Sequence, residues 1–147
     1  MVDRTHVTTV VTTVLVDSCV IIDLLAAESD WYEWAMATIS ALSESRALAI
    51  NQIIYAEIAA VYDTPADLEL ARAPFEFIRL SLPWEAAFLS GTAYRIYRQR
   101  GGHRRSPLPD FYIGAHAMTA GMALLTRDET RYRAYFPRLR LITPTTE

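Results

Sequence analysis

The spacing of apolar residues changes several times along this chain, and each change marks an element. From Val10 to Val16 the β-branched run VVTTVLV has no polar face, which predicts a strand buried on both sides. Ser18 follows as the cap of a short helix, CVIIDLLA, ending near Glu28. Asp30 is placed to cap the next helix, WYEWAMATISALSE, whose apolar positions recur at helical spacing. ALAI (47–50) predicts a second buried strand, with Asn51 as N-cap of a helix over IIYAEIAAVY. TPAD (64–67) starts a further helix with Thr at the cap and Pro at the first turn; it runs to about Ala73, where Pro74 interrupts it. RLSL (79–82) is expected to be a third strand, followed by a long helix from Pro83 to about Arg100.

The remaining third follows the same grammar. GGHRRSPLP (101–109) has two glycines, two prolines and no apolar period, so it reads as a loop. DFYIGAHAMTA (110–120) is a helix that Gly121 stops. MALLT (122–126) predicts a fourth strand, ETRYRAYF a short helix and RLI (140–142) a last strand. Strands alternating with helices predict an α/β sandwich with a mainly parallel sheet of four to five strands. Residues 1–9 read as an N-terminal tail and 10–147 as a single domain, a size for which 52% hydrophobic residues supply an adequate core.

Charge sharpens the picture. The chain has no lysine, so its 14 basic residues are all arginines. Residues 1–90 carry four arginines against thirteen acids, whereas residues 91–147 carry ten against four. An arginine-rich second half suits a phosphate-gripping surface, although arginines scattered over solvated helix faces give the same count. The missing lysine excludes a Walker phosphate loop. A lone Cys19 excludes an internal disulfide framework and fits a cytoplasmic setting. Apolar runs are too short for a membrane span, and the N-terminus lacks the cleavage site of a signal peptide.

Four carboxylates occupy equivalent places in this pattern. Asp17 follows the first strand, Glu57 lies on the helix after the second, Asp110 opens a helix and Asp128 follows the fourth strand. Taken singly, each has an ordinary reading as a cap, or for Glu57 as a salt-bridge partner of an arginine. Strand ends in an open α/β sheet share one crevice, however, so the four converge if the topology is doubly wound. Two carboxylates about 4 Å apart repel by about 4 kcal/mol at an effective dielectric near 20. They must share protons or hold a hard divalent cation, and the cation suits phosphodiester hydrolysis. Asp23, six residues past Asp17, is expected to be solvated and is left out, as is Glu129.

Other chemistries fail on residue type. His6, His103 and His116 are scattered, with no zinc-ligand spacing; Ser18 lacks a glycine-flanked elbow and Cys19 lacks an evident histidine base. A haloacid-dehalogenase phosphatase needs a second Asp two residues after the first, where this chain has Cys19, and it needs a lysine. A phospho-receiver domain fails for want of a lysine and an adjacent acidic pair. The aromatics Trp31, Trp34, Tyr94, Tyr97, Tyr132 and Tyr135 fall at helical spacing and read as core or interface.

The ordered strings VLVDSCVIIDLL, INQIIYAEI, PDFYIGAHA and LLTRDETRYRAYFPRLRLI resemble PIN-domain ribonucleases, specifically VapBC-type toxins, over residues 13–144. The resemblance implies a PIN-like three-layer α/β/α sandwich and an RNA-cutting site that binds Mg²⁺ or Mn²⁺. Asp17, Glu57, Asp110 and Asp128 match the family's four acids, with Asp17 and Asp110 as the main metal ligands and Ser18 and Thr126 in the small polar supporting positions. It further implies an RNA substrate, a homodimer, and a small cognate antitoxin that silences the toxin; by their charge, Arg98, Arg100, Arg104 and Arg105 are expected to guide the RNA backbone. Two departures are a longer stretch ahead of the first acid, and SPLPD in place of the usual small-residue lead-in to the third. The rival expectation is a catalytically silent PIN-like module that binds protein or RNA without cutting.

Overall fold

The computed structural model describes residues 12–144. Five parallel strands form one sheet: β1 (Thr13–Val16), β2 (Ala47–Ile50), β3 (Ile78–Arg79), β4 (Ala123–Leu125) and β5 (Leu141–Ile142), in spatial order β3-β2-β1-β4-β5. Seven helices connect them: α1 (Ser18–Leu25), α2 (Tyr32–Ser43), α3 (Gln52–Ala59), α4 (Pro65–Arg72), α5 (Trp84–Gln99), α6 (Pro109–Thr119) and α7 (Glu129–Tyr135). The architecture is a three-layer α/β/α sandwich with an all-parallel sheet, as the apolar pattern and the resemblance lead one to expect.

The central strand explains itself. Val14, Leu15 and Val16 are fully buried, and β1 pairs on one side with β2 (Val14 beside Leu48) and on the other with β4 (Val14 beside Ala123). A strand covered on both faces needs apolar residues at every position, which VLV supplies. The chain order runs outward from β1 in both directions, to β2 and β3 on one side and to β4 and β5 on the other. The reversal lies between β1 and β4, and at such a point the connections diverge and leave a crevice beyond the strand ends.

Several caps follow the sequence. Asn51 accepts from the Ile54 N–H (3.0 Å) to start α3, and Thr64 accepts from the Asp67 N–H (3.2 Å) to start α4, with Pro65 in the first turn. Gly121, at φ 68°, takes the left-handed backbone that ends α6.

Other boundaries move for identifiable reasons. The first strand begins at Thr13; Val10, Val11 and the tail over 1–9 lie outside the described residues. The first helix stops at Leu25, not near Glu28, because Ala26 is extended and Asp23 gathers the Ser29 hydroxyl (2.8 Å), folding the segment back. Trp31, not Asp30, holds the cap position of α2, and its side chain makes no capping bond. The third strand is only Ile78–Arg79, not 79–82. The Leu80 N–H still bonds Ile50 O (2.9 Å), but the Leu82 N–H turns to the Gln52 side chain (3.0 Å), and Pro83 has no N–H to continue the ladder.

Candidate functional site

Asp17 stands at the reversal point. Its N–H donates to Leu125 O (2.9 Å), so the β1–β4 pairing continues into the crevice, and its side chain is 4% exposed. Oδ1 accepts from the Ser18 N–H (2.8 Å) at the start of α1. Oδ2 accepts two hydroxyls, from Thr126 just past β4 (2.8 Å) and from Tyr132 on α7 (2.9 Å). The Thr126 oxygen also accepts the Asp128 N–H (3.1 Å), which links the backbone of the fourth acid to the carboxylate of the first. Ser18 turns its hydroxyl to Glu57 Oε1 (3.0 Å). Asp110, in the first turn of α6, lies 3.4 Å from the Tyr132 hydroxyl through Oδ1 and 3.3 Å from Arg131 through Oδ2. Asp128 occupies the cap position of α7 without a side-chain capping bond. Ser18, through its N–H on Asp17 and its hydroxyl on Glu57, and Tyr132, whose hydroxyl lies between Asp17 and Asp110, thus bring Asp17, Glu57 and Asp110 into one cluster.

The electrostatics are those of like charges gathered around one buried carboxylate, Asp17, with Glu57 and Asp110 half-buried and Asp128 exposed. Burial raises the Asp17 carboxyl above its usual range and the Asp110 charge adds to this, while the Thr126 and Tyr132 hydroxyls and the Ser18 N–H pull the other way. Glu57 is raised by burial and by the charges of Asp17 and Asp110, against the Ser18 bond. Burial raises Asp110 as well, and Asp128 adds to it, while Arg131 opposes them. Tyr132 is pushed well above the normal phenol range, first by burial and then by the two aspartates, so its hydroxyl is a donor at any ordinary pH.

Whether these residues suit a cation turns on donor chemistry. Every acceptor in the cluster is a hard oxygen, the class that Mg²⁺ and Mn²⁺ prefer, and the raised carboxyls are those an added positive charge would relieve. As the side chains stand, no group of three His, Cys, Asp or Glu among the described residues closes on a common point that holds an ion. Tyr132 and Arg131 contact the carboxylates instead. The donor set fits a hard divalent ion.

A model of the PIN domain matches residues 14–137. The chain belongs to the PIN-domain family. No curated protein matches it. Among solved structures, it is similar to a chain in VapBC2 from Rickettsia felis bound to a DNA fragment from its promoter, at TM-score 0.69 and 16% identity, covering 89% of this chain and 98% of that one. It is also similar to a chain of FitAcB from Neisseria gonorrhoeae, at TM-score 0.67 and 19% identity, covering 91% and 99%. A toxin–antitoxin complex from Klebsiella pneumoniae gives TM-score 0.60 and 23% identity, covering 89% and 97%. At these identities the likeness is one of fold.

Within this PIN domain, the arginines singled out from sequence lie apart from the acids' hydrogen-bond network. Arg98 donates to the carbonyls of Gly102 (3.1 Å) and Arg104 (3.4 Å), bracing the loop after α5. Arg100 reaches Ala134 O (3.5 Å) and lies over the Tyr135 ring. Arg104 and Arg105 are exposed on the loop. Asp23 corrects the expectation of a solvated side chain: it is 4% exposed and paired with Arg127 (2.5 Å), which follows β4. Glu57 bonds a serine, not the arginine that the ordinary reading offered. His116 is buried against Asn51 (2.9 Å), and burial lowers its pKa. Burial and the Asp17 charge raise the Cys19 thiol to about 11, so it is no nucleophile.

Two residues of the cluster escape the sequence reading. Arg131 is one of five arginines in the last 21 residues, and nothing local distinguishes it. Tyr132 reads as one more core aromatic. Its one signal is that an inward-facing tyrosine, unlike phenylalanine, brings a hydroxyl that needs a partner.

Proposed function

We propose that this PIN-domain protein is a VapC-type toxin of a type II toxin–antitoxin system, a Mg²⁺- or Mn²⁺-dependent endoribonuclease. The observation that carries the reading is the cluster of Asp17, Glu57 and Asp110, gathered by Ser18 and Tyr132 in the crevice where the chain order reverses, with all three carboxyls raised by burial. Arg131 offsets part of the Asp110 charge, but only neutral donors orient Asp17 and Glu57, and a buried charge left in that state is costly unless a cation joins it. The fold likeness to VapBC and FitAcB structures supports the toxin assignment and, with it, a small antitoxin partner.

In this mechanism Asp17 and Asp110 would hold the ion, and Glu57 and Asp128 would complete the site. When bound, a hard divalent ion lowers the pKa of water and offsets charge on phosphoryl oxygens. Ser18 holds Glu57 by one oxygen, and the other, Oε2, takes the proton of the attacking water. Thr126 keeps Asp17 and the Asp128 backbone in register. In-line attack of that water's oxygen at phosphorus would form the new P–O bond and break the P–O3′ bond, leaving a 5′-phosphate, while the departing 3′-oxygen would take a proton from solvent water to become the 3′-hydroxyl. Arg98, Arg100, Arg104 and Arg105 guide the RNA backbone by charge, so binding falls steeply with salt.

The helix α5 supports a protein partner. Trp84 is 91% and Phe88 81% exposed, one turn apart on the same face, and an apolar patch of that kind marks an interaction surface. The homodimer and the antitoxin are the partners proposed. Among the described residues no helix is long and apolar enough to cross a membrane, and the proposed setting is the cytoplasm.

A silent PIN-like binding module has one observation on its side, the Arg131 guanidinium resting on Asp110. Sequencing RNA 5′ ends after induction of wild type and of Asp110→Asn in bacteria separates the two. New ends at one or a few sites, present only with wild type, are the expected result. Identical end profiles from two soluble proteins would leave the binding module.

A further inference from the structure

Tyr132 stands out because a phenylalanine would meet every packing demand placed on it. Its side chain is 1% exposed on α7, and its ring passes so close to α6 that a Cβ built on Gly114 would lie 3.2 Å from it. The hydroxyl is another matter. It sits 2.9 Å from Asp17 Oδ2 and 3.4 Å from Asp110 Oδ1, carboxylates that are far apart in the sequence and come from different elements. A phenol has one proton, so it donates to one of them at a time, and the shorter distance gives that proton to Asp17. Being neutral, it leaves the charge of both acids intact. Its effect is on position.

The consequence for Asp17 is asymmetric. Oδ2 already takes the Thr126 hydroxyl, and with Tyr132 it carries two hydrogen bonds, whereas Oδ1 takes the Ser18 N–H. Carboxylate oxygens offer about two lone-pair sites each. Oδ2 is therefore filled, and Oδ1 is the oxygen with capacity to spare. Three donors from three separate elements fix the rotation of the carboxylate about its Cβ–Cγ bond.

We propose that Tyr132 is a positioning residue for the cation site: its hydroxyl, donated to Asp17 Oδ2, turns Asp17 so that Oδ1 is the oxygen presented to a divalent ion. The inference rests on the metal-dependent reading above and adds a residue to it. Groups that bond to a metal's ligands without touching the metal orient those ligands, and their loss weakens metal binding by about 10- to 100-fold.

The test is calorimetric titration of Mn²⁺ into the full chain, as wild type, as Tyr132→Phe and as Tyr135→Phe, together with thermal unfolding of each in EDTA. Tyr135 packs its ring against Phe111 and serves as the control. The expected result is Mn²⁺ binding by wild type and by Tyr135→Phe, with Tyr132→Phe weaker by about 10-fold or more and its unfolding in EDTA still cooperative. A purely structural tyrosine would instead change the unfolding temperature and leave the affinity as it was. Equal affinity in wild type and Tyr132→Phe overturns the inference and leaves the metal-dependent reading standing. No Mn²⁺ binding by wild type overturns both. A second measurement needs no variant: in wild-type protein labelled at tyrosine Cζ, Mg²⁺ should shift the resonance of the tyrosine whose hydroxyl is shielded from exchange. An unshifted set of tyrosine resonances at saturating Mg²⁺ overturns the inference.

Discussion

Asp17 and Glu69 each gather donors from three residues, and the charge of those donors separates their roles. Around Glu69 the Tyr55 hydroxyl (2.9 Å) joins two guanidinium groups, from Arg72 (2.6 Å) and Arg79, and Arg79 also lies over the Tyr55 ring. The bonds from Arg72 and then Arg79 hold the Glu69 carboxyl down to about 2. Around Asp17 the donors are a backbone N–H and two hydroxyls, all neutral, and burial keeps its carboxyl high. One carboxylate has been cancelled and the other only aimed. A protein that needed Asp17 merely as a strut would be expected to match its charge, as it does for Glu69 and for Asp23 beside Arg127. Leaving it unmatched in a buried crevice is costly, which is what the proposed cation site requires of it.

Removing the unmatched charge is the strongest way to break this contrast. Asp17→Asn should lower RNA cleavage by about 10³-fold, the scale associated with losing an electrostatic stabiliser of the transition state, and should abolish Mn²⁺ binding by calorimetry. In EDTA near neutral pH the same variant should be more stable than wild type. The sign follows from the raised carboxyls of Asp17, Glu57 and Asp110. Each binds its proton more readily in the folded than in the unfolded chain, between the ordinary carboxylate range and its raised value. Their contribution to stability therefore grows as pH falls through that window and is lost as pH rises through the folded pKa. Asp17→Asn removes part of this slope. Thermal unfolding in EDTA at a series of pH values measures it; a variant less stable than wild type, with an unchanged slope, would count against the charge argument.

The next effect concerns the packing that places Tyr132. A Cβ added at Gly114 would stand 2.6 Å from the Phe136 ring and 3.2 Å from the Tyr132 ring, so Gly114→Ala forces α7 away from α6. Overpacking of this kind costs about 1–3 kcal/mol, offset in part by the better helix propensity of alanine. Gly91→Ala on α5 meets nothing within 4 Å and should do the opposite, raising stability by up to about 1 kcal/mol through propensity alone. Thermal unfolding of the pair reads the difference. Mn²⁺ affinity should weaken only in Gly114→Ala, because only there does the hydroxyl on Asp17 shift.

These two glycines also show where the sequence is legible and where it is not. Nothing in GAHA separates Gly114 from a tolerated helix glycine, since the ring it faces, Phe136 at the end of α7, arrives from 22 residues away by way of a strand and a helix. The strands β1 and β2 are legible because VLV and ALAI must be apolar on both faces, and the caps Asn51 and Thr64 because they act within three residues. The places of Asp17, Glu57 and Asp128 are readable for the same local reason: each follows a strand string that announces itself. Their partners are not. Asp23 meets Arg127, 104 residues on, and Asp17 meets Tyr132, 115 residues on, and no periodicity reports such pairings. The third strand misleads because RLSL has strand-forming residues, while the pairing is settled by Gln52 capturing the Leu82 N–H from another element.

The smallest expected effect comes from the matched side of the contrast. Glu69→Gln leaves Arg72 and Arg79 without their shared counter-charge, but the carboxylate faces solvent, where ion pairs are screened and weak. The lowered carboxyl sets the sign. Its stabilisation is present above the ordinary glutamate range and is lost as pH falls toward about 2, the reverse of the dependence at Asp17. Wild type and Glu69→Gln should therefore differ slightly in unfolding temperature near neutral pH, converge on acidification, and converge again in high salt. Mn²⁺ affinity and RNA cleavage should not change. A change in either would be informative, because Tyr55, which bonds Glu69, shares α3 with Glu57, which bonds Ser18. Loss of Mn²⁺ affinity in Glu69→Gln would mean that the cancelled cluster holds α3 in place for the aimed one, and the two carboxylates would then be parts of a single device.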